Sequence, residues 1–266
     1  MDMCLYHKNC ADGFGAAWAV RRRFGDIEFR AVQYGDSVPD VTDKDVIIVD
    51  FSFPQDVLLE ILNHAKSLVV IDHHKTAQES LVGLDFCVFD MNKSGCVLTW
   101  EYLFDEPPPE LFLYLQDRDL WRWELPHSRE VSAALRSYPT SFDVWDGLVE
   151  NPETLKTEGA AILRYQRQQI DANLAQKIDT VEIGGYSVPC VNCTHLISEL
   201  GNELAKGKPF AALYFDTGDG KRVFSLRSTD EGVDVSEIAK MYGGGGHRNA
   251  AGFTIKRPDD IIPASQ

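Results

Sequence analysis

The chain has 266 residues, 44% of them hydrophobic, which is enough for one large domain or two modest ones with proper cores. Its formal charge of -15, from 26 basic against 41 acidic residues, speaks against a protein that grips long nucleic acid through a track of phosphate contacts. No run of eighteen apolar residues and no signal-peptide pattern occurs, and six scattered cysteines make no disulfide framework, so a soluble, cytoplasmic chain with no membrane partner is expected.

In chain order, a short strand ending at Leu5-Tyr6-His7 leads into a helix opened by Asp12-Gly13 and running to Phe24. A second strand is predicted from Phe29 to Tyr34. Asp45 to Asp50 is a nearly continuous apolar run, as for a parallel strand covered on both faces. Pro54 to Ala65 has helical spacing and precedes an apolar strand ending at Ile71. Leu84 to Phe89 reads as a strand and Cys96 to Phe104 as a helix. Pro107-Pro108-Pro109 interrupts the pattern before a helix over Leu111 to Leu115 that leads to Asp117 and Asp119. The order strand, helix, strand, helix predicts an α/β fold with a parallel sheet. Residues 153 to 178 read as one long, largely polar helix suited to joining two domains. Strands are then predicted at Ser187 to Val191, Phe210 to Phe215 and Val223 to Arg227, with a helix over 234 to 241 before the run Gly243 to Gly246. The expected layout is an N-terminal parallel-sheet domain (1–125), a helical linker (126–183) and a smaller C-terminal α/β substrate domain (184–257).

In open parallel sheets, ligand groups collect beyond the C-terminal strand ends. Here those ends carry His7 with Cys10 and Asp12, then Asp50, then Asp72-His73-His74. One aspartate at a strand end commonly caps a helix. Capping does not explain two adjacent imidazoles beside a carboxylate. More than four mixed imidazole and carboxylate donors suit a pair of octahedral-type ions better than one structural zinc. Two such ions are a usual arrangement for phosphoester hydrolysis.

Val70-Ile71-Asp72-His73-His74 resembles the signature of the DHH phosphoesterase family. Asp50 in Ile47-Ile48-Val49-Asp50 resembles its second motif, Asp117 in Leu115-Gln116-Asp117 its fourth, and Gly243 to Gly252 the glycine-rich motif of the DHH-associated substrate domain. The resemblance runs from His7 to about Phe253. It implies a two-domain hydrolase with two manganese ions, Mg2+ or Co2+ being alternatives. It implies His7, Asp12, Asp50, His73 and Asp117 as metal ligands with Asp50 bridging. It implies Asp72 as the carboxylate that orients an imidazole, and His74 as the group facing the phosphate or leaving oxygen. Gly244, Gly245, Gly246, His247 and Arg227 are the implied substrate-binding residues, Arg227 through its guanidinium. Relatives carry two aspartates in the first motif, where this chain has only Asp12; Cys10 or Asn9 stands near the missing carboxylate's place.

The function expected is hydrolysis of very short nucleotides, linear dinucleotides such as pGpG and nanoRNA, by a monomer or dimer with a cleft between the domains. A phosphomonoesterase on nucleoside bisphosphates or a polyphosphatase is the alternative with the same metals. A non-catalytic nucleotide sensor is the alternative of another class.

Overall fold

The computed structural model describes residues 1–257, which divide into two compact units, Met1–Tyr165 and a second starting at Gln166. The first unit begins β1 (Met3–His7), α1 (Ala11–Phe24), β2 (Glu28–Val32), β3 (Asp45–Val49), α2 (Gln55–His64), β4 (Ser67–Asp72), α3 (Lys75–Ser80) and β5 (Cys87–Phe89). Helices follow: α4 (Gly95–Leu103), α5 (Glu110–Asp119), α6 (Ser128–Leu135), α7 (Phe142–Glu150) and α8 (Glu153–Leu174), the last crossing the boundary.

The sheet has the order β2-β1-β3-β4-β5, and every neighbouring pair is parallel. Its apolar strands serve two cores because successive side chains point to opposite faces. Ile47 and Val49 pack with α1, α4, α5 and α7. Val46 and Ile48 pack on the other face with Leu58 and Ile61 of α2. The chain leaves β1 for β2 on one side and returns to β3 on the other. The switch point therefore lies between the C-terminal ends of β1 and β3, where His7 and Asp50 stand.

The linker expected over 126–183 is not a linker. Val131, Ala134 and Leu135 of α6, Trp145 and Leu148 of α7 and Leu155 of α8 are buried in the core of the first unit. The indole of Trp18 donates to Asp146 at 2.8 Å, tying α7 to α1. Both short helices are amphipathic, and their apolar stripes are needed to cover α1 and α5.

The second unit contains β6 (Asp179–Ile183), β7 (Tyr186–Asn192), α9 (Ile197–Ala205), β8 (Ala211–Asp216), β9 (Lys221–Arg227), α10 (Val235–Lys240), β10 (Gly245–His247) and β11 (Ala250–Lys256). They form a mixed sheet ordered β10-β11-β9-β8-β7-β6, with only β7 and β8 parallel. One face packs Val235, Ile238 and Ala239 of α10, the other Leu200 and Leu204 of α9 with Ile170. Strand β6 lies before residue 184, so this unit starts earlier than expected. Gly184 and Gly185, at φ of 59° and 83°, make the tight turn that pairs β6 with β7.

Candidate active site

The site of the first unit is assembled from three strand ends, the starts of two helices and the end of α5. After β3 the backbone turns at Asp50, whose φ of 54° is left-handed, a conformation that short polar residues tolerate. The Asp50 amide donates to Ile71 at 2.8 Å, which fixes this corner to β4. Its buried carboxylate then lies between two imidazoles, with Oδ1 at 3.0 Å from His73 Nε2 and Oδ2 at 3.5 Å from His7 Nδ1.

Asp12, in the first turn of α1, is buried and held by the start of α4: its oxygens accept the amides of Gly95 at 2.5 Å and Cys96 at 3.0 Å. Asp12 Oδ2 stands 3.6 Å from His73 Nε2, and Asp119 Oδ2 stands 3.5 Å from the same nitrogen. Two glycines leave room for this packing. A Cβ at Gly95 would lie 2.5 Å from Asp50 Oδ1, and one at Gly13 would lie 2.6 Å from the His7 carbonyl.

Asp72 has a separate task. One oxygen accepts the His73 amide at 2.7 Å and pairs with His74 Nδ1 at 2.6 Å, while the other accepts the Ser52 hydroxyl at 2.6 Å. A carboxylate engaged on both oxygens fixes the ring and tautomer of His74, with Nδ1–H toward Asp72 and Nε2 on the far side.

Three carboxylates around one buried imidazole have large electrostatic consequences. Burial and then Asp50 and Asp119 push Asp12 up to about 7. Burial works against a charged His73, but Asp50, Asp119 and Asp12 overcome it and push the imidazole up to about 10. Burial likewise opposes ionisation of Asp50, yet His7 and His73 hold it well below the usual carboxylate range. For His74 the burial penalty is outweighed by Asp72, which raises it. Such a concentration of buried negative charge needs positive charge, whether protons or cations.

Among the close groups of donors two flank Asp50, beside the set Asp50, Asp72 and His74 already described. The ligand atoms of His7, Cys10 and Asp50 lie within 4.8 Å of one another, and so do those of Asp12, His73 and Asp119. Asp50 reaches both, one oxygen toward each. His7 Nδ1, Asp50 Oδ2 and Asp119 Oδ2 are buried with no hydrogen-bond partner among the described residues. Orphaned nitrogen and carboxylate atoms in two convergent sets fit a metal centre.

Of the residues expected from sequence, His7, Asp12, Asp50 and His73 come together here, with Asp72 and His74 adjoining them. Asp117 does not. Its oxygens accept the amides of Glu124 at 2.9 Å and Leu125 at 3.3 Å, bracing the turn after α5. Asp119 occupies the place assigned to it, because two residues along a helix are some 200° apart and only one can face the cluster. Between the two first-motif candidates, Asn9 is exposed and Cys10 faces the group. Ser52, Gly13 and Gly95 were not anticipated. The sequence signals for the glycines are their positions beside Asp12 and at the start of α4.

In the second unit, Arg227 ends β9 and donates to the Leu226 carbonyl at 2.8 Å and the Ser198 hydroxyl at 3.1 Å. Gly201 of α9 makes room for it, since a Cβ there would lie 2.7 Å from Arg227 Cγ. His247 pairs with Ala250, and Ala250 pairs with Arg227, so an imidazole and a guanidinium occupy one row with a small residue between. Only the first half of the glycine run is loop, as Gly245 and Gly246 belong to β10. A Cβ at Gly244 would lie 2.0 Å from the Gly252 carbonyl, and one at Gly246 would lie 2.6 Å from that of Ala250. Close strand contact explains these glycines directly.

Comparison with known proteins identifies the family. The DHHA1 domain model matches residues 192–265. An uncharacterized protein of Acanthamoeba polyphaga mimivirus is 32% identical over 99% of this chain and 69% of its own length. The oligoribonuclease NrnB of Bacillus subtilis is 28% identical over 94% of this chain and 72% of its own. The chain belongs to the DHH phosphoesterase family. It is a hydrolase with the family's DHH-associated C-terminal domain. Among solved structures, the pGpG-specific phosphodiesterase PggH of Vibrio cholerae aligns with a TM-score of 0.47 at 12% identity, covering 96% of this chain and 94% of that one. No helix of the described residues is long and apolar enough to cross a membrane.

Proposed function

We propose that this DHH phosphoesterase is a manganese-dependent phosphodiesterase that hydrolyses very short nucleotides, linear dinucleotides such as pGpG and nanoRNA, to mononucleotides. The observation that carries the reading is the pair of donor groups joined by Asp50. Similarity to an oligoribonuclease over nearly the whole chain supports the substrate class.

His7, Asp12, Asp50, His73 and Asp119 would hold the ions, and bound divalent ions supply Lewis acidity and water activation at the phosphate. Asp50 keeps its charge through contact with both imidazoles and ties the two donor groups together. His74, opposed by burial but raised by Asp72, is biased toward its protonated form, in which Nε2 would donate to a phosphate or leaving oxygen. Asp72 and Ser52 hold that ring in place. Arg227 and His247, in one cross-strand row with Ala250 between them, suit an anionic ligand group.

Short substrates follow from the charge. A chain at -15 repels each added phosphate, and beyond a few local contacts a longer strand gains no attraction. The test is a screen of the purified, manganese-loaded protein against dinucleotides, longer single strands, nucleoside bisphosphates and polyphosphate. Highest kcat/KM is expected on dinucleotides, and Asp50→Asn should abolish turnover while circular dichroism stays unchanged. Equal rates on long strands, faster release of phosphate from bisphosphates or polyphosphate, or no turnover at all would refute the reading.

A further inference from the structure

The two donor groups differ in chemistry, and the difference lies in Cys10. Asn9 takes a left-handed φ of 57° between β1 and α1, and this turn makes Cys10 the N-cap residue of α1. Caps are ordinarily Ser, Thr, Asp or Asn, whose oxygen accepts an amide of the first turn. The Cys10 sulfur makes no full capping bond, only a weak contact with the Gly13 amide. Nor is it core filler. Cys4 and Cys96 are members of the large apolar cluster and Cys87 packs against the other, whereas Cys10 belongs to none. Its sulfur instead completes a triangle with His7 and Asp50, all ligand atoms within 4.8 Å.

A second observation points to a cation at that triangle. Asp50, only 1% exposed, directs Oδ2 into it without a hydrogen-bond partner, and His7 Nδ1, 3.5 Å away, has no hydrogen-bond partner either. Gly13 keeps the geometry tight: a Cβ there would lie 2.8 Å from His7 Cβ and 3.1 Å from Asp50 Oδ2. The triangle thus offers nitrogen, sulfur and oxygen. The other group, Asp12, His73 and Asp119, offers two carboxylates and one nitrogen. Thiolates favour softer ions such as zinc, and carboxylates favour harder ones such as manganese or magnesium.

We propose that His7, Cys10 and Asp50 form a thiophilic cation site that takes Co2+, Zn2+ or Fe2+ in preference to Mn2+, beside a harder site at Asp12, His73 and Asp119. The centre is then built for two unlike ions with Asp50 shared. On binding, the S–H bond breaks, its proton leaves to solvent and its electron pair forms the sulfur–metal bond. The inference rests on the metal-centre reading above and adds which ion each half selects.

Cobalt titration of the metal-free, full-length protein tests it without reference to activity. Two equivalents should bind, and one of them should bring a sulfur-to-cobalt charge-transfer band in the near ultraviolet. Cys10→Ser should lose that band and keep the visible ligand-field bands of the remaining cobalt. Cys10→Asp should bind cobalt without charge transfer and shift competition between Zn2+ and Mn2+ toward Mn2+. Absence of the band in the wild type is decisive without any variant, and where Cys10→Ser fails to fold, Cys10→Asp assigns the band in its place. Cobalt that binds with ligand-field bands and no charge transfer would overturn the thiophilic site and leave the metal centre standing. A charge-transfer band that persists in Cys10→Ser would do the same. Failure to bind any cobalt would remove the metal centre and this inference together.

Discussion

Exchanging Asp117 and Asp119 one at a time for asparagine separates a bracing carboxylate from a ligating one. Asp117, itself buried, accepts two backbone amides of the largely exposed turn that follows α5, the shorter at 2.9 Å. A hydrogen bond to a charged acceptor contributes about 1.5–3 kcal/mol, and a neutral one about 1 kcal/mol. Asparagine keeps one oxygen and turns an amino group toward an amide that needs an acceptor, so Asp117→Asn should cost about 2 kcal/mol. Asp119 has no such duty. Its replacement loses attraction to His73 at 3.5 Å but also relieves repulsion from Asp12 and Asp50. These opposing effects should leave metal-free stability within about 1 kcal/mol of wild type.

Added cation reverses the ranking. A ligand present at about a hundred times its Kd stabilises the native state by about 2.7 kcal/mol, whereas a site weakened about a hundredfold keeps only about 0.4 kcal/mol of that. Urea unfolding of chelator-treated protein, repeated with saturating manganese and followed through the transition that shifts with cation, measures both quantities. Asp117→Asn should start lower and keep the full increment; Asp119→Asn should start near wild type and lose most of it. The opposite pattern, with the increment lost in Asp117→Asn and kept in Asp119→Asn, would make Asp117 the ligand and refute the assignment.

Gly95→Ala should drive a methyl into the Asp50 carboxylate, where a Cβ has 2.5 Å to work with, costing about 1–3 kcal/mol of stability and weakening metal binding; wild-type melting and calorimetric affinity would show that α4 can retreat. The metal-free protein should lose stability as pH rises. Asp12, raised to about 7 from 3.8, and His73, raised to about 10 from 6.5, both hold protons in the native state that the unfolded chain releases earlier. Their contribution is complete below those ordinary values and disappears through about 7 and about 10, while Asp50 and Asp72, both depressed, weaken the fold only as pH falls below 3.8. Melting temperatures with chelator should therefore fall across the neutral-to-alkaline range and flatten when a divalent cation is added; a flat or rising metal-free profile would refute the charge assignment.

The parallel sheet was readable because β3 and β4 are continuous apolar runs, which only burial on both faces explains. The Asp72-His73-His74 corner was readable because nothing in secondary structure calls for it. The domain boundary was not. Helices α6 and α7 have the composition of surface helices, and only contact with α1 and α5 turns their apolar stripes into core. Strand β6, reading Asp179-Thr180-Val181-Glu182-Ile183, alternates charge with apolar residues too briefly to stand out, and its pairing depends on the glycine turn that follows.

The site shows the same division at finer scale. A motif fixes which strand or helix end delivers a carboxylate, but the phase of the helix decides which carboxylate arrives. Asp117 and Asp119 have one residue between them and identical chemistry. What separates them is that Glu124 and Leu125 present two free amides on one side of α5, and His73 presents an imidazole on the other. The turn that exposes those amides needs left-handed backbone at Trp121 and Trp123, two bulky residues that do not advertise it. Nor does Asp50 advertise the left-handed corner that aims its two oxygens at two imidazoles. Sequence therefore names the donors of this centre, and backbone conformation assigns them to its halves.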